Sequence, residues 1–353
     1  MSASVSTTLG RAAIAVVDKV RQHVAVRSEI LRAAKDRRNL VRELAVTHPA
    51  ARAGFNSGSV AHGTVNAPIR DSDCGVVLNR RKFPKYGPDG DGIAPLGLLE
   101  SFRDWILPQL RKHYPAVTCE ITKRALLFEF HETLAFEGGV ETDPSVDLIV
   151  ALDRREVPGL WIPNTEQARW DPSHPQRHTE LFLDTEDDLR VHRARVIRLA
   201  KVAIKNDAEA KVMCSFNIEA LALSHVTEVD TIAPALAAFL RNASDAIARS
   251  LTDDPAHVSG AIRLPEGVTQ ARAADRLAEL TRVVDDSLAA ESELDARRIL
   301  REVFGRQLEE MSEQTRQELR SGLRLRDTAA VSAAIVSPRL QKPRRSYGHE
   351  RLV

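Results

Sequence analysis

Two stretches carry residue types suited to a phosphorylated substrate. They are Asn56-Ser57-Gly58-Ser59-Val60-Ala61-His62-Gly63-Thr64 and Arg70-Asp71-Ser72-Asp73-Cys74-Gly75-Val76-Val77-Leu78. Gly58 permits close backbone approach, and Ser59 offers a hydroxyl and an amide to a phosphate oxygen. Asp71 follows Ser59 by twelve positions and Asp73 by two more. Strand alternation sets both carboxylates on one face, with Cys74, Val76 and Leu78 on the other. Two carboxylates on one face repel unless a cation lies between them. Magnesium, which combines few carboxylates with substrate phosphates, meets that need.

A third acid stands in Pro144-Ser145-Val146-Asp147-Leu148-Ile149-Val150-Ala151-Leu152, where Asp147 interrupts an apolar strand. A carboxylate there is costly or has a raised pKa unless something pairs with it. Sharing a metal with Asp71 and Asp73 relieves the cost. Three carboxylates can hold two magnesium or manganese ions that clamp an in-line phosphoryl displacement.

Other reactive residue types have plainer readings. His174 and His178 are four apart but lie in a proline-containing stretch, so a metal pair is disfavoured there. His62, beside the Gly58–Ser59 turn, reads as structural, and Cys74 as a small buried residue. Asp89 and Asp91 lie in a Gly-rich loop and do not make a second D-x-D. Glu141 and Asp143 rank below Asp147 because they lie outside the apolar run.

These residues need a scaffold. Ser4 to Arg52 has helical periodicity, with no Gly or Pro between Arg11 and His48. Short β-like runs follow at Asp71–Leu78, Ala125–Phe130 and Ser145–Leu152, with a helix over Phe102–Leu110 entered from the loop Phe83–Gly97. The polar, Pro-rich stretch Pro158–His178 reads as a long functional loop. Helices are expected at Arg193–Lys205, Ser215–His225, Ile232–Ser250, Ala271–Ala290 and Glu293–Phe304. Segregated helices and strands argue an α+β fold. The expected organisation is an N-terminal helix over 1–52 that bridges the lobes, a catalytic sheet domain over 53–180, a helical lobe over 181–330 and a basic flexible tail over 331–353.

The chain has 353 residues, 50 basic and 49 acidic side chains, and a net charge of +1. That balance argues against a nucleic-acid coat and a disordered chain. No apolar run reaches the length of a membrane span. Three dispersed cysteines form neither a disulfide framework nor a zinc cluster. With no export signal legible at the N-terminus, a cytoplasmic location is expected.

The G-S pair, the D-x-D and the later acid together resemble the signature of the polymerase-β-type nucleotidyltransferase superfamily. Further segments sharpen the likeness: Leu160-Trp161-Ile162-Pro163-Asn164, Trp170-Asp171, Ser173-His174-Pro175 and His178, Val196–Lys201, Cys214–Leu221, Asp254-Pro255 and Ile299–Gly305. They look like the cGAS/DncV-like nucleotidyltransferases, over about Val16 to Gly305. The resemblance implies a polymerase-β-type sheet with a long N-terminal helix and a C-terminal helical lobe. It implies that Gly58 and Ser59 hold donor phosphates and that Asp71, Asp73 and Asp147 hold magnesium. It also implies that Lys201 reaches the triphosphate, that Ser215 touches phosphate or base, and that Phe216 stacks on the base.

The activity so implied joins NTPs into a cyclic or linear oligonucleotide messenger, with pyrophosphate released, in bacterial antiphage signalling. A regulatory protein, or an effector that binds the product, is an expected partner. Without a zinc-ribbon insertion, stable DNA binding is not expected. The alternatives are transfer to RNA ends, a small molecule or a protein, or a non-catalytic nucleotide- or RNA-binding scaffold.

Overall fold

The computed structural model describes residues 10–136, 140–155, 157–205 and 211–317. The chain opens with α1 (Arg11–His23) and α2 (Ser28–Val46), then β1 (Ala51–Ser57), α3 (Gly58–His62) and β2 (Asp71–Leu78). Next come α4 (Leu96–Leu110), β3 (Thr118–Ile121), β4 (Leu126–Glu129), β5 (Leu134–Phe136), β6 (Val140–Thr142) and β7 (Ser145–Asp153). A hairpin of β8 (Leu160–Asn164) and β9 (Arg169–Ser173) leads into α5 (Pro175–Leu183) and α6 (Asp187–Lys205). The remaining helices are α7 (Ser215–His225), α8 (Ile232–Arg249), α9 (Gln270–Leu288) and α10 (Glu293–Ile299). Helical backbone resumes over 301–317. The fold is α+β, and the chain through residue 307 clusters as one compact unit.

The main sheet runs β1-β2-β7-β4-β3, with β8 added to β7 and β9 to β8. Strands β2 and β7 are parallel; β1 and β4 flank them antiparallel. One face is apolar: Cys74, Val76 and Leu78 of β2 and Val146, Leu148 and Val150 of β7 pack beneath α2 and α4. Phe102, Ile106 and Leu110 of α4 are fully enclosed there. Each such side chain contributes about 1.5–3 kcal/mol by leaving water. On the opposite face, Phe55, Val77, Ala151 and Leu160 form a smaller cluster toward the far ends of the parallel strands. The near ends of that face carry the acids.

The helices Ser215–His225 and Ile232–Ser250 and the strands Asp71–Leu78 and Ser145–Leu152 lie where sequence periodicity sets them, within a residue. Three expectations need correction. The N-terminal segment is two helices, broken over 24–27, and β1 begins at Ala51, inside the span read as helix. The break lets α1 pack on α6, α8, α9 and α10 while α2 packs on β1, β2, β7 and α4. The stretch Pro158–His178 is a β-hairpin and the first turn of α5, not a loop. Helix α10 ends at Ile299, short of Phe304, with a turn at Leu300. Smaller shifts extend α6 back to Asp187 and α4 back to Leu96. The expected basic tail over 331–353 lies outside the described residues. Among the described residues, no helix is long and apolar enough to cross a membrane.

Candidate active site

Register brings the acids together. Ser57 of β1 lies opposite Asp73, and Asp73 lies opposite Asp147 across the parallel β2–β7 pair. Alternation gives Asp71, Asp73 and Asp147 the same face, at the N-terminal ends of both strands. Gly58 then leaves β1 with φ +71°, so its backbone passes directly against the Asp73 carboxylate. The short helix α3 follows, with Ser59 in its first turn.

The acids disfavour one another's charge. Burial first, then Asp71, Asp147 and Glu219, push Asp73 up to about 7. Burial and Asp71 push Asp147 up to about 6. Arg38 of α2, 5% exposed, offsets part of the repulsion at Asp73. Its Nε and Nη1 have no hydrogen-bond partner among the described residues. Among the described residues, no three His, Cys, Asp or Glu side chains stand in ready-made metal-binding geometry. The acids lie within electrostatic range of one another.

Across a cleft of about 330 Å³, Ser215, Phe216 and Glu219 of α7 face Gly58, Ser59, Asp71 and Asp73. Asp147 stands beneath this group and does not line the cleft. A larger cavity of about 530 Å³ lies behind α7, with Arg193 and Leu221 in its wall. It holds none of Asp71, Asp73 and Asp147.

Phe216 is half-buried, and its ring lies 4.8 Å from that of His178. The His178 ring is fixed in turn by Asp254, whose Oδ1 is 2.6 Å from Nε2. Backbone amides of Ala256, Val258 and Ser259 donate to Asp254 and hold its carboxyl well below the usual range, although burial opposes this. The Phe216 ring therefore packs at a tilt of 51° against a fixed histidine within the cleft wall.

Glu219 is the residue that sequence reasoning missed. It is 5% exposed, yet its Oε1 accepts from Thr64 Oγ1 at 2.5 Å and Lys201 Nζ at 2.6 Å. Its Oε2 accepts from His62 Nδ1 at 2.9 Å. Burial alone would raise its pKa; the His62 hydrogen bond and the Lys201 charge hold it at about 2. His62 Nε2 meets Thr179 Oγ1, and its ring stacks on Phe182, so the structural reading of His62 holds. No periodicity marks Glu219; only the fold shows three donors closing on it.

The other sequence expectations fall as follows. Gly58, Ser59, Asp71, Asp73, Ser215 and Phe216 meet at one cleft. Lys201 does not join them: its side chain is buried against Glu219 and Thr64. Lys205, one turn on, places its Nζ 2.6 Å from Ser215 Oγ. Asp143 pairs with Arg37 at 2.5 Å, and Asp89 accepts from Trp161 Nε1 at 2.7 Å, so both serve packing. Cys74 is fully buried.

No protein-family profile and no curated protein matches the chain. Solved structures do. The Bradyrhizobium diazoefficiens CD-NTase CdnG, in complex with GTP, superposes with a TM-score of 0.62 at 16% identity, over 85% of this chain and 97% of that one. E. coli CdnC with ATP gives 0.58 at 18% identity, over 85% and 99%. The GTP-bound form of Vibrio cholerae DncV gives 0.53 at 14% identity, over 86% and 88%. The chain has the fold these CD-NTases share.

Proposed function

Starting from that shared fold, we propose that the chain is a metal-dependent nucleotidyltransferase that joins NTPs into a cyclic or linear oligonucleotide. The observation that carries the reading is the meeting of Asp71, Asp73 and Asp147 on one sheet face, against Gly58 and opposite Phe216. In the reaction a ribose hydroxyl of the acceptor attacks the α-phosphorus of a donor NTP. A new P–O bond forms, the bond to the β-phosphate oxygen breaks, and pyrophosphate leaves with the hydroxyl proton passing to a base.

Asp71, Asp73 and Asp147 would hold two magnesium or manganese ions. Bound there, such ions lower the acceptor hydroxyl's pKa and neutralise charge on the leaving pyrophosphate. The chain's own groups orient the reactants. Gly58 and Ser59 present backbone amides and a hydroxyl to the donor phosphates, and Ser215 meets them from α7. Phe216, backed by His178, offers a π-face to the donor base; such stacking tolerates any base.

The neighbours' ligands support nucleotide use: CdnG was solved with GTP and CdnC with ATP. CdnC was also solved as a complex with HORMA-deltaN, which favours a regulatory protein partner here. A role in antiphage signalling, with an effector that binds the product, rests on the family resemblance alone.

The test is incubation of the chain with each labelled NTP and Mg²⁺, followed by chromatographic separation, with EDTA controls. Pyrophosphate release with new cyclic or linear oligonucleotide products is expected. NTP binding without turnover under any combination of four NTPs and either metal would sink the reading.

A further inference from the structure

A buried cation without a counter-ion stands in the wall of the cavity of about 530 Å³ behind α7. Arg193 of α6 is 6% exposed, and among the described residues no carboxylate lies within ion-pair distance of it. Burial disfavours its charge, and no neighbouring acid offsets that. Its Nε donates to the Val226 carbonyl at 3.0 Å, at the end of α7, and its Nη1 donates to Thr185 Oγ1 at 3.0 Å. Both acceptors are neutral. A guanidinium has donors beyond these two, and Nη2 has no acceptor among the described residues. Nη2 is not sealed from solvent, and the cavity is the space that Arg193 borders. A charge held this way is costly until an anion meets it.

The rest of the lining defines that anion. Thr252 is 8% exposed; its hydroxyl accepts from Asn217 Nδ2 at 3.4 Å and donates to nothing among the described residues. Leu181, Ala220, Leu221 and Leu251 supply apolar wall. Ser224 and Asp253 are exposed and stand at the rim. Arg193 is the one lysine or arginine among the lining residues, and Asp253 is the one carboxylate. A dianion would meet a single fixed cation and a repelling rim, whereas a monoanion is matched by Arg193. A carboxylate, planar and with two acceptor oxygens, suits a guanidinium and a nearby hydroxyl. The volume falls within the range of small-molecule sites, which pair apolar walls with a few polar groups.

We propose that this cavity binds a small monocarboxylate with an apolar body, its carboxylate on Arg193 and the Thr252 hydroxyl, its body against Leu181 and Leu221. The site lies apart from the acid-lined cleft and does not depend on the nucleotidyltransferase reading.

The experiment is a ligand-observed NMR titration of the full chain, without metal or nucleotide. The probes are phenylacetate and octanoate, with phenylacetamide as the uncharged counterpart and inorganic phosphate as the rival anion. At least one carboxylate is expected to bind saturably, with phenylacetamide at least tenfold weaker than phenylacetate and phosphate weaker than the carboxylate that binds. Arg193→Gln should lose tenfold or more, and Arg193→Lys should recover part of the loss. Because Arg193 also caps α7, Ser224→Trp is the second variant. Ser224 is exposed, so this chain should melt like the parent while its indole closes the mouth and abolishes binding. The Asp71→Asn, Asp73→Asn double variant should bind the carboxylate as the parent does.

No saturable binding of either carboxylate into the tens of millimolar would overturn the proposal. So would phenylacetamide binding as well as phenylacetate, or parental carboxylate affinity in Ser224→Trp. Displacement of the bound carboxylate by ATP with Mg²⁺ would put the probe in the nucleotide cleft and remove the separate site. Arg193-dependent binding of phosphate in preference to both carboxylates would overturn the ligand class.

Discussion

The carboxylate of Asp73 fills the space that a side chain at residue 58 would need: a Cβ built on Gly58 stands 1.8 Å from Asp73 Oδ2. The turn that presents Ser59 and the acid proposed to hold metal are thus fitted to one another. Gly58→Ala must displace that carboxylate and also adopt a left-handed backbone, which costs about 1–2 kcal/mol. The expected result is a melting temperature lowered by about 2–8 °C and turnover reduced at least 100-fold, with a Mg²⁺ requirement shifted upward. A parental Mg²⁺ titration curve for this variant would show that the close approach is incidental.

Asp71→Asn and Asp73→Asn should each abolish turnover while leaving the fold intact. Each removes a proposed metal ligand, but each also removes a charge from the Asp71–Asp73 pair, whose mutual repulsion adds to burial in raising the Asp73 pKa. In EDTA at pH 8, Asp73→Asn is therefore expected to be as stable as the parent or more so, by on the order of 2–4 kcal/mol from the raised pKa. Parental NTP consumption by the double variant would overturn the site.

The pH dependence carries a sign that can be checked. With folded pKa values of about 7 and 6, Asp73 and Asp147 bind protons that the unfolded chain has released. Their ionisation thus costs stability, progressively from about pH 4 to 7. Glu219, held at about 2, has the opposite sign: its contribution is complete above its ordinary value and fades as pH falls toward 2. Histidines such as His48, His178 and His192, kept neutral by burial, also lose stability on acidification. The clean quantity is the difference between Asp73→Asn and parent in EDTA. That difference should grow from pH 5 to pH 8 and collapse when Mg²⁺ and NTP are added to the parent. A difference that shrinks toward pH 8 would contradict the raised Asp73 pKa.

Phe216→Ala should weaken NTP binding more than it weakens the fold. Stacking on a base is worth about 1–3 kcal/mol, so a tenfold or greater rise in KM is expected. Truncating an enclosed core phenylalanine costs about 3–5 kcal/mol of stability, but Phe216 is half-buried and faces the cleft. Melting temperature and KM on the same variant separate the two roles. A large stability loss with unaltered KM would make the ring a packing residue.

The acids were legible because their chemistry demands particular residue types at strand spacing, and apolar runs follow Asp73 and Asp147. The bounds of β2 and β7 follow from the same alternation. The β8–β9 hairpin was not legible, because Pro163 and Pro172 lie inside its strands. Proline removes a ladder donor and reads as loop; here the hairpin is appended beyond the main strand order, where fewer donors are needed. The break over 24–27 was hidden because the apolar period continues through it, and only the change of packing partner separates α1 from α2. Lys201 and Lys205 share one helix face by spacing, and nothing in sequence says which of them a buried glutamate has already claimed. Glu219 itself reads as an ordinary polar residue in SFNIEALA until the fold closes Thr64, His62 and Lys201 around it.

The division of labour between α1 and α2 has a consequence for how the chain comes off the ribosome. Helix α2 finds its partners among β1, β2, α4 and β7, all made by residue 153. Helix α1 precedes it, yet its buried face of Ala13, Val16, Val17 and Val20 packs on helices that begin at Asp187 and end at Ile299. At roughly 5–20 residues per second, α1 waits on the order of ten seconds or more for its docking surface. During that interval a valine-rich stripe stays open to solvent while the sheet closes beside it. Translation order thus separates the two: α2 can dock once the sheet is made, while α1 must wait for the C-terminal helices.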